Sequence, residues 1–440
     1  MKRLTYLSII LLVAASCKKP GYEKLTNDPA LFSNTVHELN RVVMGNNFSP
    51  VVASRNYAYA AVTAYEVIAA GDSAHYRSLA GQLNGLTTVA KPEKDAKIDY
   101  HLAAVLAFCK VGEAVTFPAG SMQNYVDSIK TKVANAGMPD DVLQGSEKFA
   151  DAIFKSIMKW SKSDNYAKTR SAPKFALSDE EGRWVPTPPM YAEAVEPHWA
   201  DIRTMAMKDG KQYSVVPPPT FDVKNKNSKY YQEVIAIKNR GDSLTSEQAH
   251  IADFWDDNPT KLNVNGHLMF IKKKFSPAGH WMSVVGIASK TTKADFNKTV
   301  CGYAKTGIAL FDAFVECWAA KYTYNTARPE TIIDKYIDPA WRPHLQTPPF
   351  PEYTCGHCTI SAAAAKSLTS VFGDNVAYTD TTELEFGIKS RRFKSFNQAA
   401  EETAMSRFYG GIHFHNSCIV SSGYGKKVGD EVVNKLVMKK

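Results

Sequence analysis

Along most of the chain apolar residues recur at intervals of three and four, and alternation at an interval of two is hard to find. The run VVASRNYAYAAVTAYEVIAA has Ser49 as a cap, Pro50 in its first turn and Gly71 placed to stop it. The same periodicity predicts helices over 99–117, 121–136 and 140–161. It fails over 163–227, where eight of the 22 prolines fall, and this stretch reads as a long irregular connection. It returns near Ser228 and across 295–324, where Ile308, Phe311, Val315, Trp318 and Ala319 share one face before Pro329. The loop TPPFPEYT then leads to Gly356-His357 and the helix-forming ISAAAAKSLTSVF, closed by Gly373, with further helices expected over 397–408 and 426–438. The pattern predicts an all-α protein of two packed helical bundles, an N-terminal half over 31–162 and a C-terminal half over 228–440.

The first residues change the picture of where the chain works. Residues 1–16 combine Lys2 and Arg3 with an apolar run from Leu7 to Ala15, the pattern of a secretory signal too short to span a bilayer. Cys17 at the cut site resembles the lipidation site of a bacterial lipoprotein, with 17–30 as a tether. An exported protein is expected, anchored by lipid and facing the periplasm or the cell surface. The formal charge of +9 falls to +7 without the signal, and no dense basic block marks a nucleic-acid surface. A small anionic partner accounts for that balance. Six cysteines after Cys17 are too few for a disulfide scaffold in a chain of this length. Nothing in the sequence decides for or against a homodimer.

Three short blocks carry chemistry. Lys321 and Arg328 lie seven residues apart, two turns of a helix that persists, which puts both cations on one face. Cys355, Gly356 and His357 open a helix, where free backbone N–H groups and the dipole favour an anion. Arg407 and His413 add a guanidinium and an imidazole around Gly410-Gly411. Taken singly, such residues are ordinary surface or core positions.

Together, Lys-x6-Arg-Pro, Gly-His and Ser-Arg-x5-His resemble the three-part signature of the superfamily that joins type 2 phosphatidic acid phosphatases to vanadium-dependent haloperoxidases. The segments NFSPVVASRNYAYAAVTAYE, ADFWDDNP and PAGHW extend the resemblance to exported haloperoxidase-like proteins of bacteria over most of the chain. Trp318 and Phe350 stand where the peroxidase branch has the aromatic pair of its halide site. The resemblance implies a site inside the C-terminal bundle. There His413 ligates vanadate, Lys321, Arg328, Arg407, Cys355 and the Gly356 amide hold its oxygens, and His357 exchanges protons with incoming hydrogen peroxide as halide is oxidised. In the phosphatase branch the same cradle holds phosphate, His413 attacks a phosphoester and His357 serves the leaving alcohol.

Three positions depart from the signature. Cys355 stands for a serine, and a thiol beside three cations at a helix N-terminus is expected to have a lowered pKa. Ser417 stands where an aspartate often orients the imidazole, so a backbone carbonyl is the expected partner of His413. His415 adds an imidazole with no assigned role. Cys355-Gly-His-Cys358 also spells a disulfide-exchange motif, which needs a βαβ context, and half of a zinc site, which lacks a second half. A structural disulfide involving Cys358, Cys418 or Cys301 is expected before either. The remaining alternative is an anion-binding lipoprotein in which Cys355 and Ser417 have disabled turnover.

Overall fold

A computed structural model describes residues 21–440, apart from residues 260 and 266 and the side chains of residues 263–265, 268 and 269. The signal, Cys17 and the start of the tether lie outside the described residues.

The first half contributes α1 (Gly21–Thr26), α2 (Pro29–Gly45), α3 (Pro50–Gly71), α4 (Tyr100–Ala114), α5 (Gln123–Asn135), α6 (Asp140–Ser161) and the short α7 (Tyr166–Arg170). After the proline-rich stretch come α8 (Lys229–Asp242), α9 (Ser246–Phe254), the antiparallel ribbon β1 (Lys261–Asn265) and β2 (Leu268–Lys272), α10 (Pro277–Thr292) and α11 (Phe296–Tyr324). The chain continues through α12 (Pro329–Tyr336), α13 (Gly356–Phe372), a second ribbon of β3 (Tyr378–Asp380) and β4 (Arg391–Phe393), α14 (Phe396–Tyr409) and α15 (His415–Lys435). The two ribbons are a correction to the helix-only expectation; strands of three to five residues are too short to print a period on the sequence. The last helix also begins eleven residues before the expected position 426, because Gly423, Gly425 and Gly429 interrupt its apolar pattern, while the bare backbone of Gly425 and Gly429 packs against α13.

α3 packs on α4 and α6 in the first half, and α13 packs on α11, α14 and α15 in the second. The long contact between α3 and α11 joins the two groups, so one hydrophobic core runs from Tyr22 to Met438. Small residues set these distances. A Cβ on Gly425 of α15 would lie 2.0 Å from the Thr359 carbonyl of α13, and one on Gly307 of α11 would lie 3.3 Å from Ala58 Cα of α3. Gly71 is the last residue of α3, as expected, and a Cβ there would meet the Tyr100 ring at 2.4 Å. Gly373, at φ 107, ends α13 by the conformation expected of it.

The stretch 163–227 is irregular, as its prolines predict, with only α7 and one 3-10 turn at Trp199–Asp201. It is pinned to α11 by Asp312, whose buried carboxylate accepts the N–H groups of Met205, Ala206 and Met207 at 2.7–2.8 Å. Among the described residues no helix is long and apolar enough to cross a membrane.

Candidate active site

Asp295 caps the start of α11, accepting from the Lys298 N–H, and the helix then stays buried as far as Lys321 in its last turn. Asn325, left-handed at φ 47, stops it, and Arg328 is already the N-cap of α12. The two cations therefore do not share a helix face, which corrects the spacing argument. They meet through the next loop instead. Lys321 Nζ donates to the carbonyls of Pro351 (2.7 Å) and Glu352 (3.0 Å), and Arg328 Nε donates to that of Phe350 (2.8 Å).

His413 lies in the turn between α14 and α15. Its Nδ1 is 2.8 Å from Glu352 Oε1, and its Nε2 is 3.1 Å from Arg328 Nη1. A guanidinium only donates, so Nε2 accepts and Nδ1 carries the hydrogen that faces the carboxylate. The expected backbone-carbonyl partner is thus replaced by Glu352, which also accepts the Phe414 N–H at 3.2 Å. Burial, reinforced by Arg328, Lys321 and Arg407, holds the imidazole well below its ordinary pKa, so the ring is neutral.

Arg407, near the end of α14, donates through Nε to Ser406 Oγ at 3.0 Å and through Nη2 to the carbonyl of Trp255. His357, in the first turn of α13, is pushed well below its ordinary pKa by burial and then by Arg407. Among the described residues its Nε2 has no hydrogen-bond partner, and Arg328 Nη2 is likewise buried and unpartnered. Burial pushes Lys321 down to about 7 and Glu352 up to about 7, their mutual attraction opposing both shifts. Gly356 leaves space beside it: an added Cβ would touch only Trp318 and Phe314, at 3.6 and 3.9 Å. Trp318 and Phe350 pair at 5.0 Å between ring centroids, with Lys321 Nζ 5.0 Å from the Phe350 centroid.

Cys355 departs from its expected part. It caps α13, its sulfur accepting from the Cys358 N–H, but that sulfur is joined to Cys358 in a disulfide. It is neither a reactive thiolate nor a donor to an anion. Cys418 approaches the pair, but with two of the three sulfurs bonded to each other the set cannot act as a thiolate metal site. Both bridged cysteines are buried in a helical setting, against the disulfide-exchange reading. His415 packs its ring against Phe408 at 5.1 Å.

A narrow cleft of about 180 Å³ leads to His357, Arg407 and Phe350 between Ser49-Pro50, Pro259, Pro277 and Pro348-Pro349. A larger groove of about 870 Å³ beside α4, α5 and α6 is crossed by Lys–Glu and Lys–Asp pairs and reaches none of these groups. Three site residues went unassigned in the sequence reading: Glu352, Asp257 and His280. Each stood in a segment already noticed, in PFPEYT, FWDDNP and PAGHW, but its partner lies far along the chain.

The arrangement is a candidate site within a helical bundle whose chemistry suits an oxyanion: a neutral imidazole turned toward buried cations, with a second imidazole and a helix N-terminus alongside. The family model described as VCPO second helical-bundle domain matches residues 302–439. The structure of a bacterial vanadium-dependent iodoperoxidase is similar at 40% identity with TM-score 0.88, covering 93% of this chain and 97% of that one. Holo- and apo-type bacterial vanadium-dependent chloroperoxidases share the fold at 16% and 15% identity, both with TM-score 0.63. The first covers 95% of this chain and 96% of its own, the second 88% and 94%. No curated protein matches. The chain belongs to the vanadium-dependent haloperoxidase family.

Proposed function

We propose that the protein is a vanadate-dependent haloperoxidase that oxidises halide with hydrogen peroxide. The observation that carries this reading is the set of buried polar atoms without partners among the described residues. Arg328 Nη2 and His357 Nε2 are buried without partners, and Lys321 keeps one ammonium hydrogen beyond its two carbonyl bonds. A tetrahedral oxyanion among them accepts from Arg328 and Lys321 and leaves the bare His357 Nε2 facing a reactant that brings a proton, and the Nε2 lone pair of His413, now facing Arg328 Nη1, is suited to ligate its central atom once that guanidinium turns to the anion. The residues present therefore fit vanadate.

Bound vanadate supplies a Lewis-acid centre that makes hydrogen peroxide electrophilic toward halide. Lys321, Arg328 and Arg407 hold its charge in a site prepared in advance. Glu352 fixes the His413 tautomer. His357, neutral because it is buried among cations, takes a proton at Nε2 from incoming peroxide. Trp318 and Phe350 give the halide a polarisable wall, and the proline-lined cleft admits small reactants. The 40% identical relative is an iodoperoxidase by description, so iodide is the first halide to assay. Export as a lipoprotein through Cys17 belongs to the same proposal; it is supported by the signal pattern and tested by mass spectrometry of the N-terminal peptide from membranes.

The experiment is to load the chain after Cys17 with orthovanadate and assay iodide- and bromide-dependent halogenation beside hydrolysis of an aryl phosphate. Halogenation that disappears without vanadate is expected. Phosphate hydrolysis without halogenation would replace this reading with the phosphatase one, and silence in both with vanadate bound would leave an anion-binding protein.

A further inference from the structure

Outside the cradle, the densest cluster of buried charge lies beyond His357. His280, in the first turn of α10, is fully buried, with Nδ1 2.8 Å from Asp257 Oδ1 and Nε2 3.0 Å from Asp380 Oδ2. A carboxylate on each nitrogen is satisfied only when both nitrogens carry hydrogens, so the ring is an imidazolium. Burial works against that charge, but the two carboxylates prevail and hold its pKa well above the ordinary value. Glu383 lies 3.8 Å from Nδ1 and is itself paired with Lys274 at 2.9 Å, and Trp255 stacks on the ring at 4.6 Å.

Asp257 faces two ways. Its Oδ1 meets His280, while its Oδ2 lies 3.9 Å from the unpartnered Nε2 of His357. That gap is closed by a small rotation of either side chain or by one water. Its backbone is left-handed at φ 42, a conformation that the surrounding structure must impose on an aspartate.

We propose that His280 is a positioning residue for the haloperoxidase reaction: clamped between Asp257 and Asp380, it holds Asp257 with its second oxygen facing His357 but short of a direct hydrogen bond, orienting that ring while limiting how tightly it keeps the proton it receives. The inference rests on the acid/base role of His357 proposed above. The charged groups around His357 are Asp257, which favours its protonated form, and Arg407, His280, Lys321 and Arg328, which oppose it. Replacing His280 with a neutral side chain removes one opposing charge and frees Asp257 to turn to His357. Both changes let His357 keep its proton to higher pH.

In His280→Gln the acidic limb of the kcat/KM profile is expected to move up by about one pH unit, roughly a tenfold loss on that limb. A uniform loss without movement of the limb would show a merely structural role and overturn the proposal. Imidazole 15N NMR of the vanadate-free parent should show both His280 nitrogens protonated through pH 8, and the His357 titration should rise in His280→Gln. These readings need no turnover, so they stand even where the haloperoxidase assay is silent. A bare His280 nitrogen overturns the proposal, as does a stoichiometric divalent cation lost in Glu383→Gln, because the ring would then be a metal ligand.

Discussion

Glu352 decides which nitrogen of His413 is free. With its carboxylate 2.8 Å from Nδ1, the Nε2 lone pair faces Arg328 and the cradle, and among the described residues no other carboxylate hydrogen-bonds this ring. Glu352→Gln presents an amide of uncertain hand to the same nitrogen, and vanadate affinity should fall by about 10–100-fold, read by thermal-shift titration with orthovanadate. Unchanged affinity would mean that the Arg328 contact alone fixes the ring. The sulfur chemistry is checked by alkylating the denatured chain after Cys17: four thiols are expected before reduction, Cys109, Cys301, Cys317 and Cys418, and two more afterwards. Six at the outset would restore the thiol reading of Cys355. At this scale Lys321, Arg328, Gly356, His357, Arg407 and His413 were legible because each sits in a short block of fixed spacing. Glu352 was not, being 61 residues from its partner, and neither was His280, 100 residues from Asp380.

The elements that hold the site are helices at close range, and their approach is set by glycine. Gly425 on α15 and Thr359 on α13 leave no room for a methyl group, whereas Gly423, two residues away, has nothing within 4 Å of its missing Cβ. Gly425→Ala should therefore destabilise the protein by about 3 kcal/mol as α13 is pushed off α15, and weaken vanadate binding, because α13 carries Gly356 and His357. Gly423→Ala is the control: helix propensity alone should stabilise by roughly 0.5–1 kcal/mol. Denaturant midpoints of the two variants separate contact from propensity; equal midpoints would contradict the packing. Helix interiors were legible from their period, but ends were less so. α11 stops at Tyr324 because Asn325 takes a left-handed turn that the spacing of Lys321 and Arg328 does not show.

Across the whole molecule the core includes carboxylates that resist ionising. Glu316 on α11 is buried with both oxygens unpartnered, and burial pushes its carboxyl up to about 8 against the attraction of Lys427. Between its ordinary value of 4.5 and about 8 the folded chain binds more protons than the unfolded one, so stability falls as pH rises across that window. Glu66, up to about 7, and Asp312, up to about 6, act with the same sign. Glu316→Gln should flatten the decline in Tm from pH 5 to 8 and leave the variant more stable than its parent at pH 8 by a few kcal/mol. A parallel pH dependence in the two proteins would mean that Glu316 meets a partner or water.

The sequence by itself determined the helical class and pointed to the proline-rich connection and to six candidate residues of the proposed oxyanion cradle, because periodicity and fixed spacing are local properties. The tertiary structure decided how those residues are used: which nitrogen of His413 is free, that Cys355 is bridged, and that Asp257 and His280 lie beyond His357. Each of those depends on a distance between segments far apart in the chain, set when the helices pack, and residue order alone does not carry it.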